Sequence, residues 1–489
     1  MCPQEKSANR RVLGCRWVFA NKVDKTGAVC RRKARVVLKG FQQRPNIDYK
    51  EVYSPTARFE TIRCVLTIAV KERLFLHQFD VKTASLSAPI DTELYMKQPE
   101  GFDDGSGRVC ALRKSLYGCV QSPRAFNQKI NSVLMGMRLV KLKRSTADPC
   151  LYFSEPPRRI VVLIFVDDGM VGGSDEKLVQ DFIKELGETF ELTSKPLEYF
   201  LGVTMNVSKD RRRIHIHQAT YITEILERFG MSDCKPSVIP IDATSKNAFD
   251  GEIDLSLDYR QAIGSLMYCM LATRADISYA CGFLSRYLDK PTKHLWSTAM
   301  KVFRYLKATK YYGPVFKDLG SNELLGYADA DYAGCNNSRR STSGSFIQFG
   351  SSVLHYQSRR QSAVPLSTLE SELVSACETA KSCIWLARLL REAGYQVTPK
   401  LLIDNAACIS FIKNQQVSSR TKHVQVKYYF LREKVESGEF IINHVASEDN
   451  TADLFTKVLP KLTFQKLRSL AGIVNGDPSS KSDADAGGC

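Results

Sequence analysis

The stretch from Val161 to Val171, Val-Val-Leu-Ile-Phe-Val-Asp-Asp-Gly-Met-Val, constrains this chain more than any other. Its continuous apolar run reads as a buried strand. The pair Asp168-Gly169, ahead of a second and shorter apolar run, predicts a tight hairpin turn at those two residues. Adjacent carboxylates at the end of a buried strand are costly, because a buried unpaired charge is strongly disfavoured. A divalent cation offsets that cost, and hard cations prefer carboxylate oxygen. Two ordinary turn aspartates in water remain the alternative that this stretch alone leaves open.

A chain of 489 residues has room for roughly three domains. Lys and Arg number 69 against 52 Asp and Glu, a net charge of +17 that points to a polyanionic partner, with nucleic acid first. No apolar segment approaches the length of a membrane span, so no membrane partner is expected. The polar and basic opening, Met1 to Arg11, lacks the apolar core of a secretory signal. The 15 cysteines are scattered without a C-x-x-C pair, which fits reduced thiols in cytosol or nucleus better than zinc ligation.

Residues 16–41 alternate apolar and basic side chains and predict a hairpin with one packed and one basic face. Edge strands also use lysine simply to block aggregation, so that face has a reading without phosphate. A helix over Thr61–Glu72 precedes a strand, Leu74–Val81, that carries the lone acid Asp80. Asp80 gains meaning only beside Asp167 and Asp168, because two-metal phosphoryl transfer needs carboxylates that hold cations about 3.5–4 Å apart. Further on, helices are expected over Glu176–Leu186 and Tyr221–Phe229, a linker through Pro236 and Pro240 to Leu255, and a helical region over Asp258–Leu306.

A second set of acids follows. Leu324–Asp331 reads as a strand with Asp329 and Asp331 on one face. A helix opens at Ser367 with Glu370 completing a capping box. Its apolar stripe is Leu373, Ala376, Cys377, Ala380, Ile384 and Ala387, and Glu370 and Glu372 border it on opposite flanks. Spacing does not choose between them. The capping box accounts for Glu370 without chemistry, which favours Glu372 as a ligand. Leu401–Ile403 is a strand ending in Asp404, and Asp453 falls in the first turn of a last helix after Asn450, where the helix dipole alone would explain it.

Several runs together resemble the reverse transcriptase of copia-type retrotransposons. They are Phe79-Asp80-Val81-Lys82-Thr83-Ala84, Tyr95-Met96-Lys97-Gln98-Pro99-Glu100-Gly101-Phe102, Lys114-Ser115-Leu116-Tyr117-Gly118, Gln121-Ser122-Pro123-Arg124-Ala125, Asp148-Pro149-Cys150-Leu151-Tyr152 and Phe165-Val166-Asp167-Asp168. Downstream, Gly326-Tyr327-Ala328-Asp329-Ala330-Asp331, Arg339-Arg340-Ser341-Thr342-Ser343-Gly344, Leu366-Ser367-Thr368, Arg420-Thr421-Lys422-His423 and Ala452-Asp453-Leu454-Phe455-Thr456-Lys457 resemble the same family's ribonuclease H.

The resemblance implies an α+β and α/β multidomain chain: a right-hand fingers–palm–thumb polymerase followed by a ribonuclease H-like mixed-sheet domain. Fingers and palm would span 12–206, thumb and connection 207–316, the nuclease 322–460, and a partly disordered tail 461–489. It implies that Asp80, Asp167 and Asp168 hold two magnesium ions for polymerisation. Asp329, Glu372, Asp404 and Asp453 would hold two for cleavage, with Mn2+ as a substitute. Lys33 and Arg35 would meet the triphosphate, and Ser85, Tyr117, Gly118 and Ser122 would line the nucleotide and template pocket. His423 lies in a family motif and is expected to be structural. The implied partners are an RNA template, a DNA primer, RNA–DNA hybrid and deoxynucleoside triphosphates. The implied location is cytoplasmic, in a virus-like particle, or nuclear, and not secreted.

Four departures from the family pattern stand out: Ser85 for an aromatic residue, Ser87-Ala88-Pro89 for an Asn-Gly-acid turn, Cys119-Val120 for Leu-Lys, and Phe165 for tyrosine. Capsid, protease and integrase segments are not in this sequence, so a processed or truncated polymerase portion is expected. A decayed copy that binds nucleic acid without efficient polymerisation, or that keeps only the nuclease, is the competing reading.

Overall fold

The computed structural model of the chain describes residues 11–23, 29–247, 251–414 and 425–476. The chain divides into two compact units, Met1–Ala57 with Phe75–Pro196, and Arg58–Leu74 with Leu197–Cys489.

In the first unit, β1 (Cys15–Val23) and β2 (Val29–Leu38) pair antiparallel as the basic hairpin. Their register places Arg16, Lys33 and Arg35 on one face and Cys15, Trp17 and Phe19 on the other. The helix α1 (Phe59–Glu72) follows in sequence but packs in the second unit. A six-stranded antiparallel sheet forms the centre of the first unit. Its strands are β3 (Phe75–Val81), β4 (Leu151–Phe153), β5 (Ile160–Phe165), β6 (Asp168–Gly173) and β7 (Leu192–Pro196), in the order β7-β3-β6-β5-β4 with Lys143–Arg144 at the far edge. Helices α2 (Ser122–Met135) and α3 (Glu176–Gly187) cover one face, packing Phe126, Ile130, Phe182 and Leu186 onto Phe79, Val162, Ile164 and Val171. Asp175 caps α3 by accepting the Leu178 N–H.

The hairpin differs from expectation in one detail. Phe165 pairs with Asp168, so the turn is Val166-Asp167, and Asp168-Gly169 already belongs to β6. Val166 takes a φ of 58°, a conformation that β-branched residues rarely adopt. Gly169 serves packing rather than the turn, because a Cβ there would lie 2.1 Å from the Phe79 ring.

The second unit holds two sheets. One is antiparallel and runs from Tyr199–Phe200 through β8 (Val203–Val207), β9 (Arg213–His217) and β10 (Tyr312–Lys317) to Ile473–Asn475. Beside it in sequence are α4 (Ala219–Arg228), α5 (Tyr259–Ala272), α6 (Ser278–Leu284) and α7 (Lys293–Ala308), which share a core of Ile222, Ile225, Ile263, Leu266, Phe303 and Leu306. The stretch expected as a linker is tied down among its described residues: Ile241 is buried, Asp242 pairs with Lys301, and Lys307 donates to the Cys234 carbonyl.

The other sheet is mixed. β11 (Leu324–Asp331), β12 (Thr342–Phe349) and β13 (Ser352–Arg360) form an antiparallel meander, and β14 (Lys400–Ile403) and β15 (Ile441–His444) continue it in parallel, in the order β13-β12-β11-β14-β15. The long helix α8 (Thr368–Glu392) lies on it, burying the stripe from Leu373 to Ala387. This is the mixed sheet expected downstream of the polymerase-like half. Order continues into the stretch expected as a tail, where Lys461–Leu470 is helical and Ile473 is fully buried. Residues 477–489 and the Arg420–His423 motif lie outside the described residues.

Candidate active sites

In the first unit, strand pairing brings three acids to one end of the sheet. Asp168 opens β6 directly opposite Asp80 of β3. The turn adds Asp167, whose carbonyl accepts the Val81 N–H at 3.0 Å. Burial, with Asp167 and then Asp80 close by, pushes the Asp168 carboxyl up to about 6. Three crowded carboxylates of this kind suit a hard cation.

The other expected nucleotide residues are spread around the hairpin and the following turns. Lys33 and Arg35 share the face that looks onto Tyr117, with the Arg35 guanidinium 5.4 Å from the Tyr117 ring centre. Gly118 has a φ of 91°, and a Cβ there would meet the Leu38 carbonyl at 2.1 Å, so this position requires glycine. Its neighbour Tyr117 accepts the Leu38 N–H at 2.8 Å. Ser122 is buried and donates its hydroxyl to the Leu116 carbonyl, which closes the turn before α2. Ser85 is half-buried in the short helix Ala84–Ser87.

In the second unit, β11 and β14 run parallel with Ala328 opposite Ile403. The next residue on each strand is an acid, so Asp329 and Asp404 emerge side by side at the carboxyl end. Glu372 reaches them from the first turns of α8. One oxygen from each of Asp329, Glu372 and Asp404 lies within 4.8 Å of the others. The N-terminus of α8 sorts the two glutamates: Ser367 caps the Glu370 N–H, and Glu370 accepts the Leu366 N–H at 2.6 Å. Glu372 Oε2 is instead buried without a hydrogen-bond partner. Burial, with Asp329 and Asp404 next to it, pushes Glu372 up to about 9. All-oxygen donors and an orphaned buried carboxylate oxygen fit a divalent cation such as Mg2+.

Asp453 stands in a short 3-10 turn, Thr451–Phe455, rather than at the start of the last helix. Asn450 caps that turn through the Ala452 N–H and ties it to β11 by donating to the Ala328 carbonyl. Gly344, opposite Asp329, lets the turn come close: a Cβ there would be 2.5 Å from the Ala452 carbonyl. Thr456 donates to Asp329 Oδ2 at 2.5 Å, and Lys457 Nζ lies 2.7 Å from Asp453 Oδ1. Ser375 joins α8 to the sheet through the Asp329 and Gly344 carbonyls. Sequence reasoning assigned none of these supporting residues. Polar Asn450 and Thr456, flanking an otherwise apolar segment at three residues on either side of Asp453, were the signal available.

Comparison with known proteins places these sites in context. Residues 4–243 match the family described as reverse transcriptase (RNA-dependent DNA polymerase). The chain is 36% identical over 484 residues to a retrovirus-related Pol polyprotein from transposon TNT 1-94 of Nicotiana tabacum, covering 96% of this chain and 36% of that protein. It is 34% identical over 476 residues to the corresponding polyprotein from transposon RE2 of Arabidopsis thaliana, covering 96% and 32%. The chain thus spans about a third of the length of these relatives. A solved foamy viral protease-reverse transcriptase in complex with dsDNA aligns with 88% of this chain and 77% of its own, at 12% identity and a TM-score of 0.45.

Proposed function

The chain belongs to the family of retrovirus-related Pol polyproteins of copia-type transposons, and on that premise we propose that it is an RNA-directed DNA polymerase that also cleaves the RNA strand of RNA–DNA hybrids. The observation that carries this reading is the pairing of two acid clusters, each assembled by its own sheet: Asp80, Asp167 and Asp168 in one unit, and Asp329, Glu372, Asp404 and Asp453 in the other. Fingers and palm would occupy 12–206, thumb and connection 207–316, and the nuclease 322–460.

In polymerisation, Asp80, Asp167 and Asp168 bind the cations and fix the primer 3′-hydroxyl in line with the α-phosphate of a deoxynucleoside triphosphate. Lys33 and Arg35 neutralise the triphosphate, while Tyr117 and Gly118 shape the floor beside it. In cleavage, Asp329, Glu372, Asp404 and Asp453 orient a water against the scissile RNA phosphate. When bound, Mg2+ or Mn2+ supplies Lewis acidity, activating the attacking oxygen and neutralising the leaving one. Among the described residues no helix is long and apolar enough to cross a membrane. RNA template, DNA primer and hybrid are therefore the proposed partners, in the cytoplasm or nucleus.

The test is extension of a DNA primer on an RNA template with purified protein and magnesium, beside hybrid cleavage. Asp168→Asn should abolish extension and spare cleavage, and Glu372→Gln should do the reverse. Folded parent protein that cleaves hybrid yet never extends a primer would leave a nuclease-only copy. That outcome would fit the departures at Ser85, Pro89 and Val120, which all fall in the polymerase half.

A further inference from the structure

The nuclease-site acids are not equivalent. Asp329, Glu372 and Asp404 form the compact trio, whereas Asp453 is already held by a cation of the chain itself, with Lys457 Nζ 2.7 Å from its Oδ1. That contact is electrostatic rather than a well-aligned hydrogen bond, since Asp453 Oδ1 has no hydrogen-bond partner. It is also no ordinary surface pair, because the Asp453 side chain is 12% exposed and Lys457 39%. Lys457 acts on Asp329 and Asp331 as well as on Asp453.

The segment that presents the lysine is locked. Phe455 is fully buried and stacks between Phe346 and Tyr356, with ring centres 6.0 and 6.2 Å away. Adjacent residues therefore serve adjacent acids, Thr456 on Asp329 and Lys457 on Asp453. A solvated lysine would have no reason to sit four residues after the one acid left outside the trio.

Resting on the nuclease reading above, we propose that Lys457 is a built-in counter-ion that makes the site load its cations in sequence. The Asp329–Glu372–Asp404 trio takes the first divalent cation. Asp453 becomes a ligand only when the Lys457 ammonium is displaced, so the second cation binds more weakly. Lys457 is in this sense a positioning residue that sets the metal requirement.

The test is calorimetric titration with MgCl2, and separately MnCl2, of the full chain carrying Asp80→Asn, Asp167→Asn and Asp168→Asn, so that only the nuclease acids report. Two unequal steps are expected. Lys457→Met should tighten the second step by about 10- to 100-fold, the usual scale for groups that hold a metal ligand, and leave the first in place. Lys457→Arg should keep the gap. Asp453→Asn, which does not depend on the lysine variant folding, should remove the second step alone. A Lys457→Met isotherm that superimposes on its parent, or two equal steps in the parent, overturns the proposal. Should Glu372→Gln leave the first step untouched, the nuclease reading itself fails, a result separable from the failure of sequential loading.

Discussion

At the scale of single residues, the polymerase-like site shows where local reading succeeds and where it stops. Adjacent acids on a buried strand were visible in the chain, but the turn sits one step earlier than the Asp-Gly signal suggested, at Val166-Asp167. Glycine there would be the usual solution, and Val166 at φ 58° instead stores strain of about 1–3 kcal/mol. Val166→Gly is expected to raise the denaturation midpoint, by about 1 kcal/mol of stability, while slowing primer extension because the acids lose a rigid support. A drop in stability would show that the turn is relaxed. Ser85 leaves open a place where relatives carry an aromatic ring. Ser85→Phe should therefore sharpen the preference for deoxy- over ribonucleotides, by roughly tenfold to a hundredfold in the ratio of kcat/KM. An unchanged ratio would remove Ser85 from the sugar pocket. In the nuclease-like site, spacing left Glu370 and Glu372 undecided, and only the cap at Ser367 separates their environments.

At the scale of elements, periodicity marked most helices because an amphipathic stripe is written locally. What it left unsaid is which helix meets which sheet. The helix α1 precedes β3 in sequence yet packs on β13, where the Arg63 Nη2 donates to the Tyr356 hydroxyl at 2.7 Å and Glu60 meets His355 at 3.0 Å. Burial alone would raise the Glu60 carboxyl, but the hydrogen bond with His355 and the charge of Arg63 outweigh it and hold it down to about 2. A carboxyl depressed in the fold contributes stability in full above its ordinary value of 4.5 and loses it as the pH falls toward 2. Parent protein should therefore lose about 3 kcal/mol across that window, and Glu60→Gln should flatten the slope in acid-titrated unfolding. Between α5 and α7, Arg274 and Asp276 form a fully buried ion pair completed by Thr309 and the Tyr305 hydroxyl. Asp276→Ala would strand the guanidinium, and a stability loss of about 3–5 kcal/mol is expected in denaturant. A loss under 1 kcal/mol would mean that water reaches Arg274.

At the scale of the whole molecule, the surplus of 69 basic over 52 acidic residues governs encounters rather than fold. Affinity for hybrid should fall steeply with salt, by about 10^3-fold or more between 50 and 200 mM if six or more phosphates are contacted. A shallow slope would argue against an extended phosphate track. Strand order was beyond the sequence, because a strand's periodicity says which face is buried and nothing about its neighbour. The sequence by itself determined the alternation of acid-bearing strands and helices, the helix stripes, the basic hairpin and the family, since these depend on residues close in the chain or on whole motifs. Only the tertiary structure decided that Asp168 faces Asp80 and that parallel β11 and β14 set Asp404 beside Asp329. It alone gave Lys457 to Asp453. Those placements are cross-strand registers and long-range contacts, formed by segments more than 70 residues apart for the strand pairs, and no local pattern encodes them.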